Sequence, residues 1–167
     1  HFSAVTEGAT LAGNTVINPN TAGIYIHDTT SGGIATVTFG AGNSIVGLSG
    51  SAVGLVIDGT HLAIGGATPS INDMTFQSTG GWAGNYVKLL NGALDNQLID
   101  GRSASYDGIV GSAATPAQVA TIEGKIIDVA EDSNVGDIVV NNSLINVDGG
   151  GLQAIQDGLD FGNGAHV

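Results

Sequence analysis

Cysteine is absent from this 167-residue chain, and basic residues are almost absent. Without cysteine, the chain can form neither disulfide bonds nor thiolate metal sites. Three Lys and Arg residues stand against fifteen Asp and Glu residues, which gives a formal net charge of −12 at pH 7. Such a charge repels phosphate backbones and anionic membrane surfaces, so nucleic acids and membranes are not expected partners. The chain also lacks an apolar run long enough to span a bilayer.

Proline and aromatic residues are also scarce, whereas glycine is abundant. The chain has three prolines, 5% aromatic residues and 11% charged residues, but 28 glycines and 42% hydrophobic residues. The hydrophobic residues occur in short runs separated by Gly, Asn, Ser and Thr, a pattern typical of short strands joined by turns. The apolar fraction favours a folded core over disorder.

A pattern of short apolar strands recurs about every 30 residues. The sequence of residues 54–59 predicts a strand closed by an Asp-Gly turn, and similar sequences occur near residues 23–26 and 86–89. This spacing would superpose two sets of side chains, namely Ile24, Leu55 and Val87, and Ile26, Ile57 and Leu89. We therefore predict an all-β fold, a single-stranded parallel β-helix (solenoid) with three strands in each coil of about 30 residues. The usual chirality of crossover connections favours a right-handed coil.

We expect residues 1–167 to form one such segment, cut from a longer protein, with residues 101–118 as a loop insertion. Predicted strands lie near residues 15–17, 23–26, 35–39, 44–48, 54–57, 62–64, 71–76, 86–89 and 97–99, and later at 136–140, 144–147 and 152–155. Thr115 and Gln118 have the spacing of a capping box around Pro116, which predicts one helical turn. Residues 119–129 then have strand-like composition.

Three asparagines, Asn14, Asn43 and Asn72, are spaced 29 residues apart. If the strands stack in register, their amides can hydrogen bond to one another along the stack. The alternative is that each is an ordinary turn asparagine.

Several acidic residues are close enough in sequence to suggest acid–base chemistry on a sugar, which needs two carboxylates at the scissile bond. The candidates are Asp95, Asp100 and Asp107, and a second group of Asp128, Glu131, Asp132 and Asp137. A separate candidate is a contact between His27 and Asp58, because the repeat would place these two residues at the same position of neighbouring coils. Because bases and aromatic platforms are few, we interpret these acids as solvated turn residues. We therefore predict that the chain is not an enzyme and has no catalytic, cofactor-binding or metal-binding residues.

Calcium is a further use for clustered acids, although neither an EF-hand loop nor an RTX repeat occurs. A weak surface calcium site at residues 128–137 or 157–160 remains open, and no resident cofactor is expected. Residues 149–151 are glycines without the Lys and helix of a phosphate-binding loop. Trp82 and Tyr86 could form a small contact patch for a sugar or a protein, or simply cover the edge of a coil.

The later part of the chain resembles the passenger region of bacterial autotransporters, on the evidence of residues 139–145 (VVNNSLI) and 157–164 (DGLDFGNG). The resemblance implies a right-handed β-helix displayed outside an outer membrane, commonly serving adhesion or aggregation. It carries over no catalytic residue, and the membrane barrel of that family has no counterpart in the sequence. On it we predict an extracellular or cell-surface protein that attaches to a host-surface or matrix ligand. A solenoid cut mid-coil would also leave open strand edges at each end, so we predict end-on or lateral self-association. The alternative is a carbohydrate-active enzyme or a phage tailspike segment that uses carboxylates.

Overall fold

The computed structural model describes residues 2–3, 8–27, 34–128 and 134–141. The strands are β1 (Phe2–Ser3), β2 (Ala9–Leu11), β3 (Thr15–Ile17), β4 (Ala22–His27), β5 (Ala35–Phe39), β6 (Asn43–Leu48), β7 (Val53–Asp58), β8 (Leu62–Ile64), β9 (Met74–Ser78), β10 (Val87–Leu90), β11 (Leu98–Asp100), β12 (Ser105–Tyr106) and β13 (Ile109–Val110). A 3-10 turn (Gly111–Ala113), helix α1 (Pro116–Glu123) and strands β14 (Ile126–Ile127) and β15 (Asp137–Val139) follow.

The strands form four sheets, and, apart from β12 and β13, consecutive strands enter different sheets. The orders are β1-β4-β7-β10-β14, β13-β12-β9-β6-β3, β2-β5-β8 and β11-β15. Strands β2, β3 and β4 lie in three different sheets, and β5–β7 and β8–β10 repeat that order. Apart from β12 and β13, neighbouring strands of a sheet are therefore joined through other sheets, and they are parallel, as crossover connections require.

The predicted superposition of apolar side chains is confirmed in the first sheet. Leu55 pairs with Ile24 on one side and with Val87 on the other. Ile57 pairs in the same way with Ile26 and Leu89, and all three of these side chains are buried. The strand predictions between residues 15 and 100 also agree with the observed strands to within about one residue at each boundary, except for β9, which spans Met74–Ser78 and not residues 71–76.

The predicted fold class, an all-β, single-stranded parallel β-helix, is wrong. The described chain forms several parallel and mixed sheets with few helices, which points to an α/β-type fold and not to a single β-helix. Strands β12 and β13 are antiparallel, and α1 precedes β14. The repeat also lengthens, since Val87 pairs with Ile126 and Leu98 with Asp137, each 39 residues further on. The short period is kept between β9 and β12, where Phe76 pairs with Tyr106, but not in these two later pairs.

Alternation within the strands separates the core from the outer faces. In β4, Ile24 and Ile26 are buried, whereas Tyr25 and His27 are partly exposed. This period of two is the pattern of a strand with one buried face. The side chains on the inner faces of the three large sheets meet in one hydrophobic core.

Helix α1 begins as predicted but extends further. The Thr115 backbone N–H donates to Gln118 Oε1 at 2.8 Å, and Pro116 occupies the first turn. The prediction of strand from residue 119 is wrong up to Glu123, because Val119 and Ile122 turn to the core from the same helical face. Their burial overrides the modest helix propensity of β-branched residues.

The candidate insertion at residues 101–118 contains the β12–β13 hairpin, the 3-10 turn and the start of α1. Within it, Tyr106 and Ala104 are completely buried. The strands predicted at 144–147 and 152–155 lie outside the described residues.

Candidate functional site

A polar cluster on the outer face of the first sheet brings His27 and Asp58 together, as the spacing predicts. The two residues pair in register on β4 and β7, and His27 Nε2 lies 3.8 Å from Asp58 Oδ2. The hydroxyl of Tyr25 donates to Asp58 Oδ2 at 2.6 Å, and Asn91 Nδ2 donates to Oδ1 at 2.7 Å. Asn91 adopts a φ of 53°, a conformation that asparagine tolerates better than most residues, directly after β10.

Both oxygens of the Asp58 carboxylate therefore have a donor, although the residue is only 6% exposed. The hydrogen bond to this carboxylate raises the pKa of Tyr25, and burial raises it further. A phenol with a raised pKa is not a nucleophile at neutral pH. The arrangement fastens β4, β7 and the turn after β10 to one another.

Asp107 is engaged in a second cluster. Its Oδ2 accepts hydrogen bonds from the Ser78 hydroxyl at 2.6 Å and from the Tyr86 hydroxyl at 2.7 Å. Burial alone would raise the pKa of Asp107, but the hydrogen bonds from Ser78 and Tyr86 and the charge of Lys125 outweigh it and lower the pKa. The pKa of Tyr86 is raised by burial and by its bond to this carboxylate. This carboxylate stays ionised and cannot serve as a general acid near neutral pH.

Asp100 forms a bidentate ion pair with Arg102. Arg102 Nε and Nη2 donate to Asp100 Oδ1 and Oδ2, each at 2.7 Å. The Arg102 guanidinium lowers the pKa of Asp100 to about 2. Bidentate pairs of this geometry are among the stronger charge-assisted hydrogen bonds.

Of the three acids proposed for sugar chemistry, Asp100 and Asp107 are thus engaged in separate contacts, and Asp95 is exposed in the turn after β10. Of the second acidic group, Asp128 is buried and accepts a hydrogen bond from the Ile138 backbone N–H at 3.0 Å. Glu131 and Asp132 lie outside the described residues, as does the second candidate calcium segment, residues 157–160. The described geometry brings none of the three acids Asp95, Asp100 and Asp107 into hydrogen-bond contact with another of them.

The aromatic residues considered as a contact patch are buried. Trp82 is 8% and Tyr86 3% exposed, and the Trp82 indole N–H donates to the Ala52 carbonyl at 2.7 Å. Lys125 Nζ lies 4.1 Å from the centroid of the Trp82 ring and covers it. The alternative interpretation, that these residues cover an edge, agrees with this packing better than a ligand patch does.

The asparagine series is confirmed for two of its three members. Asn14 Nδ2 donates to Asn43 Oδ1 at 2.9 Å. Asn72 does not continue the series, because Asn43 pairs with Met74, and Asn72 Oδ1 instead accepts from the Ser103 backbone N–H. The strand spacing there is 31 residues, not 29.

A further feature is the outer edge of β3. Strand β3 pairs with β6 on one side, and within the described ranges no strand pairs with its other side. The Ser44 N–H donates to the Asn14 carbonyl and the Asn18 N–H to the Val46 carbonyl. Because backbone groups alternate in direction along a parallel strand, Val16 faces β6, while Thr15 and Ile17 direct their N–H and C=O groups away from it. Ile17 is 67% exposed. We call residues 15–17, with these outward backbone groups, the β3 edge.

The sequence carries one signal for this edge, namely the distribution of charge. Residues 8–57 contain a single charged side chain, at position 28, whereas residues 58–137 contain ten acids and all three basic residues. Edge strands are commonly protected from association by charged side chains. The β3 edge has no such protection.

In the part of the chain that the structure describes, no group of three or more His, Asp or Glu residues is placed to hold a metal ion. No helix within the described ranges is long and apolar enough to cross a membrane. No family model, curated protein or solved structure matches this chain.

Proposed function

We propose that the protein is a structural and adhesive module that works by attachment to a surface ligand or by association with itself, and that it has no catalytic role. The observation that carries this proposal is the β3 edge, an uncharged strand edge with an exposed isoleucine. Such an edge is a template for pairing with another chain.

The polar groups that would have to perform catalysis support the same proposal. The carboxylates of Asp58, Asp100 and Asp107 each accept hydrogen bonds from other side chains of the same chain. A general acid or base needs a proton-transfer group within reach of a substrate and a pKa near the working pH. Asp100 and Asp107 instead have lowered pKa values.

We further propose that the attachment takes place outside the cell, at a bacterial surface, with a host-surface or matrix polymer or a second copy as the partner. This part rests on the likeness of residues 139–145 and 157–164 to autotransporter passengers. Locating the native protein by surface proteolysis of intact cells tests it: loss of the protein supports the surface location, and full protection argues for an internal one.

Self-association is tested by sedimentation equilibrium over a wide range of protein concentration, at about 0.05 M and about 0.5 M NaCl. Each copy carries a net charge of −12, so screening the mutual repulsion should strengthen an association made by uncharged residues. A contact made by ion pairs would weaken with salt. A monomer at every concentration in both salts would refute self-association.

A further inference from the structure

We propose that Asn91 is a site of spontaneous deamidation that the fold restrains, and that the reaction, once it occurs, opens the polar cluster around Asp58 for good. The chain is its own substrate, and water is the co-reactant. This inference does not rest on the proposed attachment function. It follows from the turn after β10 and from the side-chain bond that holds this turn to β7.

The turn after β10 places a glycine directly after an exposed asparagine. Asn91 and Gly92 have φ angles of 53° and 75°, and the Ala93 N–H donates to the Leu90 carbonyl at 3.0 Å. This is the pattern of a tight turn that needs positive φ at both central residues, which Asn and Gly adopt more readily than other residues. Asn91 is exposed, so water can reach its side chain.

An asparagine followed by a glycine can cyclise. The Gly92 nitrogen attacks Asn91 Cγ, a new N–Cγ bond forms and the Cγ–Nδ2 bond breaks, so that the amide leaves as ammonia with the proton of the Gly92 N–H. Water then opens the cyclic imide to aspartate or isoaspartate. Glycine has no Cβ to hinder this attack. Among the described residues, the Gly92 N–H also has no hydrogen-bond acceptor that would hold it back.

The fold restrains both groups that must meet in this reaction. Asn91 Nδ2, the atom that leaves, donates to Asp58 Oδ1 at 2.7 Å, and the hydrogen bond across the turn fixes the main chain around Gly92. Hydrogen bonds to a charged group are stronger than those between neutral groups. The carboxylate is itself held, because the Tyr25 hydroxyl donates to its other oxygen. Cyclisation therefore requires a local opening in which the turn leaves β7.

Deamidation prevents the turn from closing again. The product carries a carboxylate where Asn91 offered an N–H donor, and this carboxylate faces Asp58 Oδ1 across the same contact. Two carboxylates so close together repel, and more strongly because Asp58 is only 6% exposed. Isoaspartate also lengthens the main chain of the turn. A molecule whose turn opens for long enough to react thus loses the tie between β7 and this turn.

Peptide mapping measures the reaction against a control in the same peptide. Trypsin cuts after Lys88 and Arg102, and residues 89–102 contain both Asn91 and Asn96. Asn96 is also exposed and has a φ of 59°, but glutamine follows it. In protein unfolded in urea, mass spectrometry should show deamidation at Asn91 about tenfold or more faster than at Asn96, because glycine follows Asn91 alone of the two. Equal rates would overturn the site.

Two variants separate the bond to Asp58 from a general loosening of the sheet. Asp58→Ala removes the acceptor of Asn91, whereas Tyr25→Phe removes another donor to Asp58 and leaves the bond to Asn91 in place. In folded protein, Asp58→Ala should speed deamidation of Asn91 by about tenfold or more, the effect of losing a hydrogen bond to a charged group. Tyr25→Phe should stay near the wild-type rate.

Asp58→Asn keeps a neutral acceptor and serves as a second variant if Asp58→Ala fails to fold by circular dichroism. It should speed the reaction at Asn91 by less than the loss of the whole acceptor would, but by more than Tyr25→Phe does. Equal rates in the folded variants of Asp58 and Tyr25 would overturn the restraint.

The consequence of the reaction is tested by variants that carry its product. Asn91→Asp places the carboxylate beside Asp58, whereas Asn96→Asp adds the same charge in the same region without that contact. Urea denaturation should show a lower midpoint for Asn91→Asp at neutral pH. The difference between the two midpoints should narrow at about pH 3, where carboxylates become protonated. Equal midpoints at neutral pH would overturn the lasting opening of the cluster.

Discussion

Replacing Asn43 by alanine should destabilise the fold more than any exposed polar substitution on these sheets. Asn43 is 1% exposed and begins β6. Its Nδ2 donates to the carbonyls of Leu11 and Gly40, both at 2.8 Å, and its Oδ1 accepts from Asn14 Nδ2 and from the Asn14 backbone N–H. One buried side chain thus closes four hydrogen bonds that tie β6 to β2 and to the turn before β3.

The magnitude follows from what each partner loses. The Leu11 carbonyl keeps the hydrogen bond from the Gly40 N–H, at 2.8 Å, so it is not left without a donor. The other contacts of Asn43 are lost, and each net hydrogen bond is worth about 1 kcal/mol, with about 1 to 3 kcal/mol more for a buried group left unsatisfied. We expect Asn43→Ala to lower the free energy of unfolding by about 3 kcal/mol, which for a chain of this size corresponds to about 6 to 12 °C in melting temperature.

The assay is urea denaturation followed by circular dichroism, with Asn14→Ala as the matched control. Asn14 is exposed, and its replacement removes only its side-chain contacts, so the expected loss is about 1 kcal/mol or less. The double variant should lose less stability than the sum of the two single losses, because both single variants remove the bond between Asn14 Nδ2 and Asn43 Oδ1. If Asn43→Ala lost no more stability than Asn14→Ala, the assignment of Asn43 as a buried cross-strand tie would be wrong.

Two further predictions concern an ion pair and a close approach of strands. Because the folded pKa of Asp100 is lowered from 3.8 to about 2, its pairing with Arg102 stabilises the fold above pH 4 and is lost as the pH falls toward 2. Arg102→Met should therefore raise the pKa of Asp100 in a carbon-detected NMR titration. The stability that this variant loses relative to wild type should shrink as the pH falls from 4 toward 2. An unmoved pKa would contradict this. Gly54→Ala should cost about 3 kcal/mol in urea denaturation, because an added Cβ would lie 2.5 Å from the Tyr86 carbonyl oxygen, whereas Gly80→Ala meets nothing within 4 Å and should be near neutral. Equal stabilities of the two glycine variants would refute that packing.

The local pairing of the first three strand sets was readable from the sequence, because period-two alternation and Asp-Gly turns are short-range signals. The pairing of Ile24, Leu55 and Val87 is an example. The fold class was not readable, since the spacing of 31 residues becomes 39 after β10 and the intervening chain forms a hairpin and a helix. Residues 119–123 illustrate the limit: their propensity favours strand, and only packing against the core makes them helical.

The candidate site was harder to predict than the strands. The sequence drew attention to acids, yet burial and hydrogen-bond partners decide what an acid does, and neither is visible in residue order. Asp100 and Asp107 illustrate this, since one pairs with Arg102 two residues away and the other with Ser78 and Tyr86 on distant segments. The β3 edge depends on which strands remain unpaired, a property of the whole arrangement. The scarcity of charge in residues 8–57, which contain one charged side chain, was a clue in the sequence.

The polar side chains and the backbone groups of the β3 edge play different parts in this structure. Polar side chains fasten some strands to the preceding coil, as Asn43 at the start of β6 bonds Asn14 and Asp58 on β7 bonds Tyr25 on β4. A side chain used in this way is unavailable for chemistry on a substrate, because its lone pairs and protons are already committed. Within the described chain, β3 has a strand partner on one side only. We therefore look for function at exposed backbone edges such as the β3 edge, and not among the carboxylates.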